Sequence, residues 1–189
     1  MSQATCVESL PVLTHGEVRL REVHPCDSPV LVELFARPEV SAHLSPPPAN
    51  VEEFNSWIAL SHSRRSERRA ACYTLLNGDS RALGLFMALR LETDSHAEIG
   101  FAIAPELWGS GVFVKATDVF LAFLFDEWDI TTLMGRTLIR NARGVGAMRK
   151  LGATELERAE RNGELELIWT ITKDEYEQRR GRAATPSSV

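Results

Sequence analysis

The chain has 189 residues, of which 44% are hydrophobic and 25% charged, with a formal net charge of -5 at pH 7. That is enough for one domain with its own core, and the composition is that of an ordinary globular protein. The acidic balance argues against a general nucleic-acid binder, although a local basic patch is compatible with it. Cys6, Cys26 and Cys72 are too scattered for a disulfide framework or a metal-ligand pair, so a reducing, cytoplasmic setting is expected. Residues 1–13 carry no basic residue and no sustained apolar run, unlike a signal peptide. The most apolar run, Val119–Phe125, is too short to span a bilayer, so no membrane partner is expected.

Residues 1–13 read as a flexible leader, 14–181 as a single domain, and 182–189 as a disordered tail. Glu17–Val23 alternates polar and apolar, the pattern of a half-buried strand. Asp27 and Pro29 then start a helix that ends near Arg37-Pro38. Val40–Asn50, with three consecutive prolines, is expected to be an irregular or extended loop. Asn50 with Glu53 forms a capping box for a second helix, whose apolar positions are Val51, Phe54, Trp57, Ile58 and Leu60. Its basic end, His62–Arg69, reads as a solvated turn that complements the helix dipole and lacks the aromatics of a nucleic-acid surface.

Strands are predicted at Ala71–Leu76, Ala82–Leu91 and Ala97–Ala104, the first two joined at Asn77-Gly78-Asp79 and the third following Thr93-Asp94-Ser95. A helix follows Gly109-Ser110-Gly111, with Val112, Ala116, Val119, Phe120, Phe123 and Leu124 on its core face. Ile130–Leu138 reads as a strand, Asn141 as the cap of a short helix, and Gly152 as its stop. A second hairpin turns at Asn162-Gly163, and Thr172 with Glu175 caps a final short helix. The result is one mixed α/β sheet flanked by helices.

Glu98–Ala116 is the stretch around which the chemistry gathers. A strand leads into Trp108-Gly109-Ser110-Gly111 and then a helix, a device that turns several backbone N–H groups and the helix dipole toward an anion. It is not a P-loop, because Val114 rather than glycine precedes Lys115. Nor is it a dinucleotide fingerprint, which wants glycine or alanine at position 114 and an initial βαβ unit. A plain helix cap is the structural alternative. The second signal lies between Ile130 and Thr154, which hold no acidic residue but do hold Arg136, Arg140, Arg143, Arg149 and Lys150. That excess suits a polyanionic ligand such as a nucleotide phosphate, or else forms a solvated face.

Taken together and in order, Leu20-Arg21-Glu22, Glu98-Ile99-Gly100-Phe101, Trp108-Gly109-Ser110-Gly111 and Asn141–Gly144 leading to Lys150-Leu151-Gly152 carry a resemblance. The chain resembles the GNAT superfamily of N-acetyltransferases, RimJ/RimL-like branch, over about Leu13–Trp169. The resemblance implies an α/β fold whose central, mostly antiparallel sheet splays between the fourth and fifth predicted strands. It implies transfer of acetyl from acetyl-CoA to a primary amine, on a protein N-terminus or a small molecule, in a ternary complex without metal. Backbone groups near Phe101, Ala102 and Ile103 would meet the pantetheine amides, one N–H polarising the thioester carbonyl. Trp108, Gly109, Ser110, Gly111, Val112, Phe113 and Val114 would form the pyrophosphate turn, and Asn141 and Arg143 would add cofactor contacts from the later helix.

Glu98 is the family-implied base, expected to be buried in the sheet; His43 and His96 are rivals, and each is also an ordinary surface or loop histidine. The chain departs from the family at Gly144, where serine or alanine is common, at Met148, where other branches have a tyrosine proton donor, and at Phe113, where the turn is usually small. These departures leave a CoA-binding regulatory module with little catalysis as the alternative. Acceptor-reading loops are expected at His43–Asn50 and Arg161-Asn162-Gly163, with Glu155, Glu157, Glu160 and Glu164 either attracting a cationic amine or simply solvated. A monomer or homodimer fits the family.

Overall fold

The computed structural model describes residues 9–78, 81–93 and 95–184. They group into two compact units: residues up to Leu89 with Phe101–Phe120, and Arg90–Gly100 with the chain from Leu121 onward. The strands are β1 (Leu13–His15), β2 (Val18–Glu22), β3 (Ala70–Asn77), β4 (Ala82–Arg90), β5 (His96–Ile103), β6 (Thr132–Leu138), β7 (Thr154–Arg161) and β8 (Glu164–Thr172). The helices are α1 (Ser28–Phe35), α2 (Pro38–Ser41), α3 (Val51–Ser66), α4 (Val112–Asp126), α5 (Ala142–Leu151) and α6 (Lys173–Ala184). Neighbouring strands run β1-β2-β3-β4-β5 in the first unit and β5-β6-β8-β7 in the second, so β5 contributes residues to both. β1–β2, β2–β3, β3–β4, β6–β8 and β7–β8 are antiparallel pairs, and β5–β6 is a parallel one. This is the mixed, mostly antiparallel α/β architecture that the sequence predicts.

In the first unit, α3 lays Phe54 and Ile58 into a core with Val23, Leu31, Leu34, Phe35 and Leu85. Burying side chains of this size stabilises the fold by about 1.5–3 kcal/mol each. Val51 and Leu60, predicted for that face, are exposed instead. The Asn50 cap is present: its Oδ1 accepts the Glu53 N–H at 2.9 Å, and the Glu53 carboxylate reaches back to the Ala49 N–H. In the basic turn beyond it, Arg65 is drawn onto Glu22 at 2.6 Å, so that guanidinium is an internal tie from α3 to β2 rather than a solvated charge.

Three early expectations are corrected. Leu13, the last residue of the expected leader, already belongs to a strand: Gly16, at φ 62°, turns the chain so that Leu13 pairs with Leu20. Asp27 does not cap α1 with its side chain; its buried carboxylate accepts instead from Arg21, the His24 N–H and Thr74, at 2.8, 2.9 and 2.8 Å. The segment read as a loop from Val40 includes the end of α2, because Pro38 suits a first helical turn as well as a stop.

The second unit follows the sequence more closely. Asn162 (φ 52°) and Gly163 (φ 78°) turn the β7–β8 hairpin, and both left-handed positions fall where that dipeptide favours them. The Thr172 N–H donates to the Glu175 carboxylate at 2.8 Å, and α6 then continues to Ala184. The predicted tail thus begins inside a helix; Cys6, residues 1–8, Asp79, Asp94 and 185–189 lie outside the described residues.

Candidate active site

Within the first unit, β5 runs on beside β4 through Phe101-Ala102-Ile103, the Ala104 N–H donates to the Leu83 carbonyl at 2.8 Å, and a 3-10 turn follows at Pro105–Leu107. Gly84 lets β4 and this segment come together: a Cβ there would lie 2.6 Å from the Ala102 carbonyl oxygen and 3.1 Å from Ile103 Cα. Those neighbours are backbone and cannot swing aside. Trp108 then pins the exit, packing against the hydrophobic core while its indole Nε1 donates to the Ile103 carbonyl at 3.2 Å. Its side chain is therefore an anchor beneath the turn.

Gly109 and Gly111 take φ values of 79° and 84°, and nothing lies within 4 Å of a Cβ built on either. The two glycines are thus required by conformation rather than by crowding. Between them the Ser110 hydroxyl donates to the Leu107 carbonyl at 2.7 Å and receives the Val112 N–H at 3.3 Å. Intrahelical bonding reaches Lys115, whose N–H donates to Gly111; the N–H groups of Phe113 and Val114 have no i−4 acceptor. Two orphan donors at the positive end of a long helix, behind an open glycine turn, fit an anionic diphosphate.

Phe113 fits without obstructing this turn. Its ring packs on Phe101 with centroids 4.8 Å apart and on the buried Phe86 at 6.3 Å, so the bulky side chain is absorbed by an aromatic cluster under the helix. The departure from a small residue is matched by its neighbours.

In the second unit, β5 pairs with β6 through His96↔Thr132, Ala97↔Leu133 and Glu98↔Met134. β6 itself pairs with β8 along its whole length. Parallel partners share a face, so Glu98, Met134 and Arg136 lie on one side of the sheet. Gly135 and Thr137 lie on the other, where α5 packs. Glu98 is not buried as expected. Its side chain is 40% exposed, and Oε1 lies 3.6 Å from Arg136 Nε.

Arg136 also approaches Glu166 at 3.8 Å, and Arg140 pairs with Glu164. Arg136 and Arg140 in the acid-free stretch are therefore matched by acids from other strands, which a linear reading could not reveal. Glu155 is likewise held by Arg158, while β7 as a whole is exposed.

Asn141 Oδ1 accepts the Gly144 N–H at 2.9 Å, and Gly152 closes α5 at φ 67°, so both predicted ends hold. A Cβ at Gly144 would lie 2.6 Å from Asn141 Nδ2 and 3.1 Å from Thr137 Cγ2, which explains glycine there. Arg143 is exposed in the same first turn. Met148 is 2% exposed, and its Cε sits over Gly135, where a Cβ would come within 2.7 Å of it. The position that carries a tyrosine donor in other branches is here a core contact. Of the rival bases, His96 starts β5 in the second unit, and His43 stands after α2 in the first with a buried Nδ1 that makes no hydrogen bond. Burial pushes the Cys72 thiol up to about 12, so it is no nucleophile. Among the described residues no cluster of three metal-ligating side chains occurs, and no helix is long and apolar enough to cross a membrane.

Residues 17–154 match the family model described as an acetyltransferase (GNAT) domain, and the chain belongs to that family. It is accordingly an N-acetyltransferase, of a family that uses acetyl-CoA.

Solved structures share the fold. Mycobacterium smegmatis RimJ in complex with CoA-disulfide is 16% identical, with 94% of this chain and 95% of that chain covered and a TM-score of 0.78. Ribosomal-protein-S5-alanine acetyltransferase from Vibrio fischeri is 13% identical, with 88% and 99% covered and a TM-score of 0.77. The Salmonella typhimurium acetyltransferase that modifies the N-terminal serine of ribosomal protein L7/L12 is 14% identical, with 86% and 99% covered and a TM-score of 0.77. No curated protein sequence matches the chain.

Proposed function

We propose that this acetyltransferase acts on a protein or peptide N-terminal amine, with the glycine turn before α4 as its diphosphate site and Glu98 as its base. The observation that carries the cofactor half is the pair of left-handed glycines ahead of first-turn N–H groups with no helical partner. Bound there, acetyl-CoA supplies an activated acyl thioester. Backbone at Phe101, Ala102 and Ile103 would receive the pantetheine arm. The backbone from Gly109 to Val114 would receive the diphosphate, supported from beneath by Trp108. Asn141 and Arg143 would offer further polar contacts from the start of α5.

Glu98 would take the proton that the acceptor ammonium must lose before its nitrogen attacks. A half-exposed carboxylate at the end of the parallel ladder supports this role, since both water and an acceptor can reach it. The new C–N bond forms as the C–S bond breaks. The departing thiolate takes a proton from solvent, because neither Gly144 nor Met148 has one to give. An N-terminal acceptor is favoured over a small amine by the structural neighbours that act on ribosomal-protein N-termini.

The test is thiol release from acetyl-CoA with peptides beginning in alanine or serine, compared with spermidine and an amino sugar. Turnover of a peptide is expected, and Glu98→Gln should lower kcat about 100-fold while leaving acetyl-CoA binding intact. Turnover of the small amines alone would overturn the acceptor assignment. An unaffected Glu98→Gln variant would remove Glu98 from the mechanism.

A further inference from the structure

The second unit places three charged side chains along one diagonal of the sheet. Glu98 on β5 is level with Met134, Arg136 lies two residues farther along β6, and Glu166 on β8 pairs with Leu138, two residues beyond that. All three project from the face opposite Met148 and α5. The guanidinium uses different nitrogens for its two acids: Nε lies 3.6 Å from Glu98 and Nη1 lies 3.8 Å from Glu166. It therefore spans from one neighbouring strand to the other.

Stability alone does not account for this arrangement. Glu166 is only 16% exposed, and its buried Oε2 accepts no hydrogen bond. A buried carboxylate held by a loose ion pair, with no hydrogen bond to that oxygen, contributes little to folding and is often outperformed by apolar packing. What it does accomplish is to fix the guanidinium from the far side. Arg136 has a long, rotatable stem, and without an anchor on β8 its planar head would sample many positions around Glu98.

We infer that Arg136 is a positioning residue for Glu98, and that Glu166 braces Arg136 in that task. The inference rests on the proposed role of Glu98 as base. Arg136 acts through Glu98: it holds the carboxylate on the sheet face from which the acceptor proton is collected. Arginine suits this better than lysine, because one rigid planar group can face two carboxylates at once.

The experiment is a double-mutant cycle read as kcat and KM, with acetyl-CoA and alanine- or serine-starting peptides, and with water as a slow reference acceptor. Arg136→Met should lower kcat about tenfold, with the acetyl-CoA KM unchanged. Arg136→Lys should recover part of that loss. The isosteric Glu166→Gln, which keeps the fold, should lower kcat about threefold by loosening the arginine. In a Glu98→Gln background, Arg136→Met should cost nothing further.

Arg136→Met within about twofold of wild type, or the same tenfold cost with and without Glu98, would overturn the inference while leaving Glu98 in place. Wild-type activity in Glu98→Gln would instead refute the base assignment, and absence of wild-type turnover with every acceptor would refute the proposed function; either takes this inference with it.

Discussion

The starts of α4 and α5, each reached from a β-strand, treat their backbone donors in opposite ways. At the start of α5, Asn141 donates its own N–H to Leu138, the Ala142 N–H goes to Arg140, and the Gly144 N–H goes to the Asn141 side chain. At the start of α4, Ser110 turns its hydroxyl hydrogen back to Leu107 and takes only the Val112 N–H, at 3.3 Å. The Asn141 side chain thus reaches the third residue of its helix, whereas Ser110 reaches only the first of its own and leaves donors beyond it to offer. The contrast supports proposing different work for two motifs of similar appearance, the α4 turn for anion binding and the Asn141 cap first of all for holding its own helix.

The largest expected effect breaks the open turn. At φ 84°, Gly111 has a conformation that a side chain adopts at a cost of about 1–2 kcal/mol, so Gly111→Val should relax out of it and scatter the donors. Isothermal titration should then show acetyl-CoA affinity falling about tenfold or more. Unchanged affinity would mean that the turn is only structural.

Phe113→Ala tests the same helix start from beneath. Losing a half-buried ring from the Phe86–Phe101–Phe113 cluster should cost about 2 kcal/mol in denaturant unfolding. The orphan N–H groups belong to the backbone, so acetyl-CoA affinity should change less than in Gly111→Val. A complete loss of binding in a folded Phe113→Ala protein would show that the ring shapes the ligand site directly.

The smallest effect belongs to the closed start. Asn141→Ala should destabilise by about 1 kcal/mol, as loss of a helix cap does, with acetyl-CoA affinity changed only a few-fold. Loss of binding without loss of stability would reverse the assignment of the two helix starts. Gly144→Ala sharpens the point, since its Cβ would collide with the capping Asn141 amide. Its unfolding cost should match or exceed that of Asn141→Ala.

The sequence revealed what depends on near neighbours. The Asn162-Gly163 hairpin, the Asn141 cap, the Gly152 stop and the glycine turn each follow from the local conformational preferences of two to four residues. Hidden were the features made by strand register. Nothing in the run around Arg136 shows that Glu98 and Glu166 will flank it, because β5 and β8 become its neighbours only in the folded sheet. The need for glycine at position 84 is hidden in the same way, because the Ala102 carbonyl that lies against it comes from another strand. Phe113 looked like a misfit for the opposite reason, because the cavity it fills is built by Phe86 and Phe101 from two other elements.

Gly152 has a second employment. The guanidinium of Arg179, on α6, occupies the space a side chain at Gly152 would need, and donates to the carbonyls of Leu151 and Gly152. The motif glycine is therefore a socket as well as a stop, and α6 serves as a latch on the end of α5. A chain shortened before Arg179 would leave that socket to water, exposing the last turn of α5 to fraying from the end away from Asn141. Changes near the C-terminus would then be felt first as a loosening of the helix that begins at Asn141.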